Sequence, residues 1–125
     1  MNDADGDLYE RALRVAERAY APYSEYFVGA AVQARDGRVF EGVNVENAAY
    51  PLGVCAERSA IVAAVLAGCR PGDLEAIGIT ASPCGGCRQW LHEFGVERVT
   101  FAAADGEVVT RAAAALLPDS WDLPA

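Results

Sequence analysis

Four cysteines, one histidine and a few well-placed carboxylates carry most of the chemistry open to this chain. Cys84 and Cys87 stand three apart in Pro83-Cys84-Gly85-Gly86-Cys87. At the start of a helix that spacing puts both sulfurs on one face, where they can bind one tetrahedral metal ion, and the two glycines let the backbone approach it. Cys55, in Cys55-Ala56-Glu57-Arg58, opens a second helix and can supply a third sulfur. Unpaired helix N–H groups and the positive end of the helix dipole stabilise thiolates, so two helix starts meeting at one ion is a sound arrangement. Three protein ligands leave the fourth position of zinc open, the pattern of a catalytic rather than a structural site. Cys69 lies at the far end of the Cys55 helix, ~20 Å along its axis, and reads as a small half-buried residue instead of a ligand. Glu57, in the first helical turn, reads as a base that exchanges protons with water activated at the ion. Zinc with three thiolates has a net negative charge, and Arg58 is the cation placed to offset it. His92 follows Cys87 on the same helix and reads as a surface or interface residue.

The composition narrows the field around this constellation. All ten basic residues are Arg, which excludes a Schiff-base lysine and a Walker-type phosphate loop. With a single histidine, a site built on two is impossible. Eighteen acidic residues bring the net charge to −8, which argues against nucleic acid as a partner and favours a neutral small molecule. No stretch approaches the ~20 apolar residues of a membrane helix, and Met1 to Asp7 is acidic and polar, unlike a signal peptide. A cytoplasmic protein with no membrane partner is expected, with cysteines kept for metal or catalysis before disulfides.

At 125 residues the chain is expected to form one domain, 1–125. Apolar residues at helical spacing predict an amphipathic helix over about 7–20, ended by Pro22. Two β-prone runs, 27–34 and 38–45, flank Asp36-Gly37 and predict an antiparallel hairpin. A loop over 46–54 leads to a helix over 55–67, apolar almost all round and therefore expected to be buried. A strand over 74–81, a helix over 84–94 opened by Pro83, and a strand over 96–103 follow. Asp105-Gly106 then turns the chain into an extended segment and a short Ala-rich helix. This order predicts a three-layer α/β/α fold with a mixed five-stranded sheet, an N-terminal antiparallel hairpin followed by parallel strands.

With these residues in view, the chain resembles the small homotetrameric zinc-dependent cytidine deaminases over nearly its whole length. The resemblance runs through Ala21-Pro22-Tyr23-Ser24, Val28-Gly29-Ala30-Ala31, Gly42 to Ala48, Cys55 to Arg58, Ser82 to Gln89 and Leu116-Leu117-Pro118. It implies hydrolytic deamination of cytidine and 2′-deoxycytidine in pyrimidine salvage, with one Zn²⁺ per subunit on Cys55, Cys84 and Cys87 and Glu57 as proton shuttle. It also implies that Asn44 and Glu46 bind the sugar hydroxyls and that the backbone N–H of Ala56 meets the pyrimidine carbonyl. Arg58 would stand by the zinc thiolates, and Tyr50 would reach a neighbouring subunit's site in a homotetramer. Tyr26 and Trp121 stand where the family usually has phenylalanines beside and over the base, and the connection before Pro83 is shorter than in many relatives. The rival readings are a deaminase of another aminopyrimidine such as a nucleoside antibiotic, a thiol redox protein using Cys84 and Cys87, and a zinc module that only binds.

Overall fold

In a computed structural model, which describes residues 1–123, the chain forms five strands and four α-helices. The last two positions of the expected 1–125 domain lie outside the described residues. Helix α1 (Asp3–Ala16) is followed by strands β1 (Gly29–Ala34) and β2 (Val39–Val43). Helix α2 (Ala56–Leu66), strand β3 (Leu74–Ile79), helix α3 (Gly85–Glu93), strands β4 (Arg98–Ala102) and β5 (Val108–Ala112), and helix α4 (Ala113–Leu116) complete the order. The sheet runs β2-β1-β3-β4-β5.

The hairpin over Asp36-Gly37 forms as the turn signal predicts: β1 and β2 pair antiparallel from Gly29 opposite Val43 to Gln33 opposite Val39. β1 is also antiparallel to β3, whereas β3 and β4 run parallel with α3 as the crossover. The expected parallel run stops there. β5 returns antiparallel to β4, because the short turn at Asp105-Gly106 can close a hairpin but not a crossover.

Alternation along the strands separates two faces. Ala30, Val32, Ala34, Ile77 and Ile79 form the main core with Ala56, Ala60, Ile61 and Ala64 of α2 and Leu91 of α3. On the other face Ala31 and Ala76 meet Leu8 of α1, which completes the three layers. Small residues bring α2 close to the sheet: a Cβ on Gly42 would run into the backbone of Ala56 and Ala60. α2 buries only this face, however. Val62 and Leu66 point outward, Leu66 with 89% of its surface exposed, so the expectation of a helix buried all round does not hold within one chain.

α1 lies four residues earlier than its apolar spacing suggests. The Asn2 side chain accepts from the Asp5 N–H at 2.7 Å and starts the helix there. Asp5, only 2% exposed, then takes a two-pronged bond from Arg98 Nε on β4, at 3.1 Å to each oxygen. At the other end, residues 17–20 leave the helix. The Tyr20 N–H donates to the Asn44 carbonyl, and its carbonyl accepts from the Glu46 N–H. Leu13, an apolar residue of this helix, lies off its buried face and is exposed.

Candidate functional site

The C-terminal ends of β2 and β3 and the start of β1 lie side by side, at the edge where open α/β sheets place their ligands. Past β2 the chain stays extended through Asn44, Val45 and Glu46. It is held by Tyr20 on one side and on the other by a two-way exchange between Val45 and Val54. Val54 precedes Cys55, so this exchange sets the loop that carries Asn44 and Glu46 against the start of α2. Past β3 the chain runs through Ser82-Pro83 to the start of α3.

Cys55 and Cys84 are the N-cap residues of α2 and α3, both with extended backbone. Cys87, fully buried, lies one turn into α3, and its N–H donates to Cys84 Sγ at 3.4 Å. The sulfurs of Cys55, Cys84 and Cys87 all lie within 4.8 Å of one another. A tetrahedral zinc ion with Zn–S bonds of ~2.3 Å needs sulfurs ~3.8 Å apart, so small side-chain shifts suffice to hold one. Cys69 stays out of this group, buried at the far end of α2 within 3.7 Å of Arg38 Nη2.

Burial pushes the Cys87 thiol far above its ordinary range, aided by the Glu57 carboxylate beside it, and burial raises Cys55 as well. Burial also opposes ionisation of Cys84, but the Cys87 N–H, the neighbouring thiols and the Gly86 N–H outweigh it and hold Cys84 below its ordinary value. A dication reverses the balance for the two raised thiols, because a coordinated thiol is deprotonated. Arg58 Nη2 lies 3.9 Å from Cys84 Sγ, and its Nε is buried with no hydrogen-bond partner among the described residues. Such an unused donor suits an anionic thiolate cluster. Gly86 makes the approach possible, since a Cβ there would collide with the Arg58 guanidinium. Donor type, sulfur spacing and compensating charge all fit zinc.

Glu57 is only 4% exposed, and burial lifts its carboxyl above the ordinary range, opposed in part by its own backbone, the Cys87 thiol and Arg58. A carboxyl so placed beside three sulfurs is equipped to hold and release a proton. Against Cys55 and Arg58, but not lined by Glu57 itself, opens a cavity of about 660 Å³, within the usual range of small-molecule sites. Asn44, Glu46, Tyr50, Cys55 and Arg58 line it. Asn44 uses both ends of its amide on backbone: Nδ2 donates to the Tyr26 carbonyl at 2.8 Å, and Oδ1 accepts from the Val28 N–H at 2.8 Å. Ala56 lies fully buried at the first position of α2. Tyr26 and Trp121 are exposed and stand outside the cavity lining, and Tyr50 is 90% exposed at its rim.

The family model for the cytidine and deoxycytidylate deaminase zinc-binding region matches residues 2–103. This chain belongs to that family. A cytidine deaminase of Sporosarcina psychrophila is 38% identical to it over 91% of this chain and 88% of the relative. A cytidine deaminase of Mycobacterium tuberculosis is 39% identical over 98% of this chain and 94% of its own. The crystal structure of cytidine deaminase from Burkholderia pseudomallei superposes with a TM-score of 0.87 at 43% identity, covering 97% of this chain and 100% of that one. The deaminase zinc-binding domain and the three-cysteine group agree on the cofactor, and the fold is that of the family.

Two features of this deaminase-family site escaped the residue types alone. Ser24, part of the motif Ala21 to Ser24, hydrogen-bonds Glu46, 22 positions away in sequence. His92 Nε2 meets Asp122 at 2.8 Å and Gln89 Nε2 donates to the Trp121 carbonyl at 3.2 Å, so α3 holds the C-terminal segment. No spacing rule connects residues thirty positions apart.

Proposed function

We propose that this chain hydrolyses cytidine and 2′-deoxycytidine to uridine and 2′-deoxyuridine, releasing ammonia, in a pyrimidine-salvage role. The observation that carries this reading is three cysteine sulfurs gathered at two helix starts, with the buried carboxyl of Glu57 beside them. Cys55, Cys84 and Cys87 would hold one zinc ion per chain, with Arg58 offsetting the thiolate charge. When bound there, zinc supplies Lewis acidity, which makes water a nucleophile near neutral pH. Glu57 takes a proton from the attacking water and delivers it to ring N3 as the water oxygen bonds C4. Glu57 then carries the second proton to the departing amine, so oxygen enters at C4 and the exocyclic nitrogen leaves as ammonia. The N–H of Ala56, in the first helical turn, has no acceptor within the helix, which suits it to the pyrimidine carbonyl. Glu46 and Asn44 stand for the sugar hydroxyls, and Tyr26 for the face of the base.

The family also includes deaminases of deoxycytidylate, and charge separates the two substrates. Among the described residues Arg58 is the single cation lining the cavity, where it faces Cys84, while Glu46 contributes a carboxylate. A phosphate would find there no cation besides the one turned to the cysteines, and one repulsive neighbour. Steady-state kinetics on cytidine and on 2′-deoxycytidine 5′-monophosphate test this: kcat/KM is expected to be at least about 100-fold higher for the nucleoside. Equal or better use of the nucleotide would overturn the substrate class. Thiol exchange would use Cys84 and Cys87 but gives the third sulfur and the buried carboxyl no part.

The assembly we propose is a homotetramer whose sites are completed across subunits by Tyr50. Support comes from Tyr50 standing almost fully exposed beside the cavity and from Val62 and Leu66 on the outward face of α2. Light scattering on the active protein is expected to give four chains per particle, and a single-chain mass with full activity would contradict the assembly. A cytoplasmic location completes the proposal; no helix among the described residues is long and apolar enough to cross a membrane.

A further inference from the structure

We infer that Ser24 is a positioning residue that fixes the Glu46 carboxylate for the sugar hydroxyls and ties it to the backbone of Tyr26. The inference deepens the nucleoside reading above and rests on it. Ser24 Oγ donates to Glu46 Oε2 at 2.5 Å, while the Ser24 and Tyr23 N–H groups donate to Oε1 at 3.1 and 3.0 Å. An ionised carboxylate accepts about four hydrogen bonds, so three fixed donors leave one acceptor direction for a ligand hydroxyl. The same bonds, with the Ser24 hydroxyl foremost, outweigh desolvation and hold the Glu46 carboxyl below its ordinary range.

Ser24 also faces the other way. Its Oγ accepts from the Tyr26 N–H at 3.0 Å, and the Tyr26 carbonyl accepts from Asn44 Nδ2 on the far side. Both polar backbone groups of the aromatic residue are therefore held by side chains of the nucleoside-binding loops. Between Ser24 and Tyr26, Glu25 sits at φ +56°, a left-handed conformation that a non-glycine residue keeps only where neighbouring bonds impose it. One hydroxyl thus closes the turn, orients the carboxylate and sets the position of Tyr26. Ser24 is exposed, so a threonine methyl has room there.

The test compares Ser24→Ala and Ser24→Thr with the unaltered zinc-loaded protein on cytidine and on 2′,3′-dideoxycytidine, which lacks both ring hydroxyls. Ser24→Ala is expected to raise KM for cytidine about tenfold and leave kcat within about twofold, as loss of a bond fixing a charged group outside the reacting atoms should. KM for the dideoxynucleoside should change much less, and Ser24→Thr should restore the unaltered values. An equal rise on both nucleosides, a fall in kcat at constant KM, or a threonine variant as impaired as alanine would overturn the inference. Carbon-13 NMR titration of Glu46 supplies a readout independent of turnover: its carboxyl should titrate higher in Ser24→Ala, and an unchanged titration would also overturn it. If the unaltered protein leaves cytidine intact, the deaminase reading fails, and the titration then decides the Ser24–Glu46 coupling alone.

Discussion

Replacing Glu57 with glutamine is expected to lower kcat for cytidine at least about 1,000-fold while the protein stays folded and keeps its zinc, because proton transfer by a positioned carboxyl is worth about two to four orders of magnitude. Glutamine matches glutamate in shape and can still hydrogen-bond, but it cannot carry a proton between water, N3 and the leaving amine. The substitution suits the site, since Glu57 is buried where an alanine would open a void beside the sulfurs. Metal analysis and uridine formation measured on the same preparation separate the outcomes. Turnover within tenfold of the unaltered enzyme, at full zinc content, would remove Glu57 from the proton path.

The second large effect is selective among the cysteines. Cys87→Ser is expected to abolish stoichiometric zinc and bring turnover below detection. Cys69→Ser should keep one zinc per chain and activity within about twofold in the folded protein, since burying its hydroxyl in the core lowers stability without touching the sulfur cluster. The contrast follows from position: Cys87 shares a sulfur cluster with Cys55 and Cys84, whereas Cys69 sits at the opposite end of α2. Chelation of the unaltered protein should reproduce the Cys87→Ser phenotype, and zinc should reverse the chelated state but not the variant. Zinc retained by Cys87→Ser, or lost from Cys69→Ser, would place the metal elsewhere.

The metal cluster was legible in the sequence because its signal is local: two cysteines one helical turn apart, and a third at the start of another helix, constrain geometry wherever the intervening chain runs. The hairpin at Asp36-Gly37 was legible for the same reason, since turn chemistry acts over four residues. Features set at long range were not. The register of α1 follows from the Asn2 cap and from Asp5 pairing with Arg98, 93 positions away in sequence. The exposed face of α2 looks like core in the sequence because an apolar helix pattern does not distinguish burial within one chain from an outward surface left for another. The reversal of β5 was readable from the brevity of the Asp105-Gly106 turn, yet the preceding β-α-β rhythm favoured parallel strands. Within the site, Asn44 and Glu46 are assigned to the sugar only through the family resemblance. The bonds that tie them to Tyr26 and Ser24 belong to the folded chain alone.

The most direct test is to incubate purified protein carrying one zinc per chain with cytidine and quantify uridine and ammonia together. Equimolar appearance of both, at the rate cytidine disappears, is the predicted result. A folded, zinc-loaded protein that leaves cytidine unchanged would contradict the assignment of Cys55, Cys84, Cys87 and Glu57 to cytidine deamination.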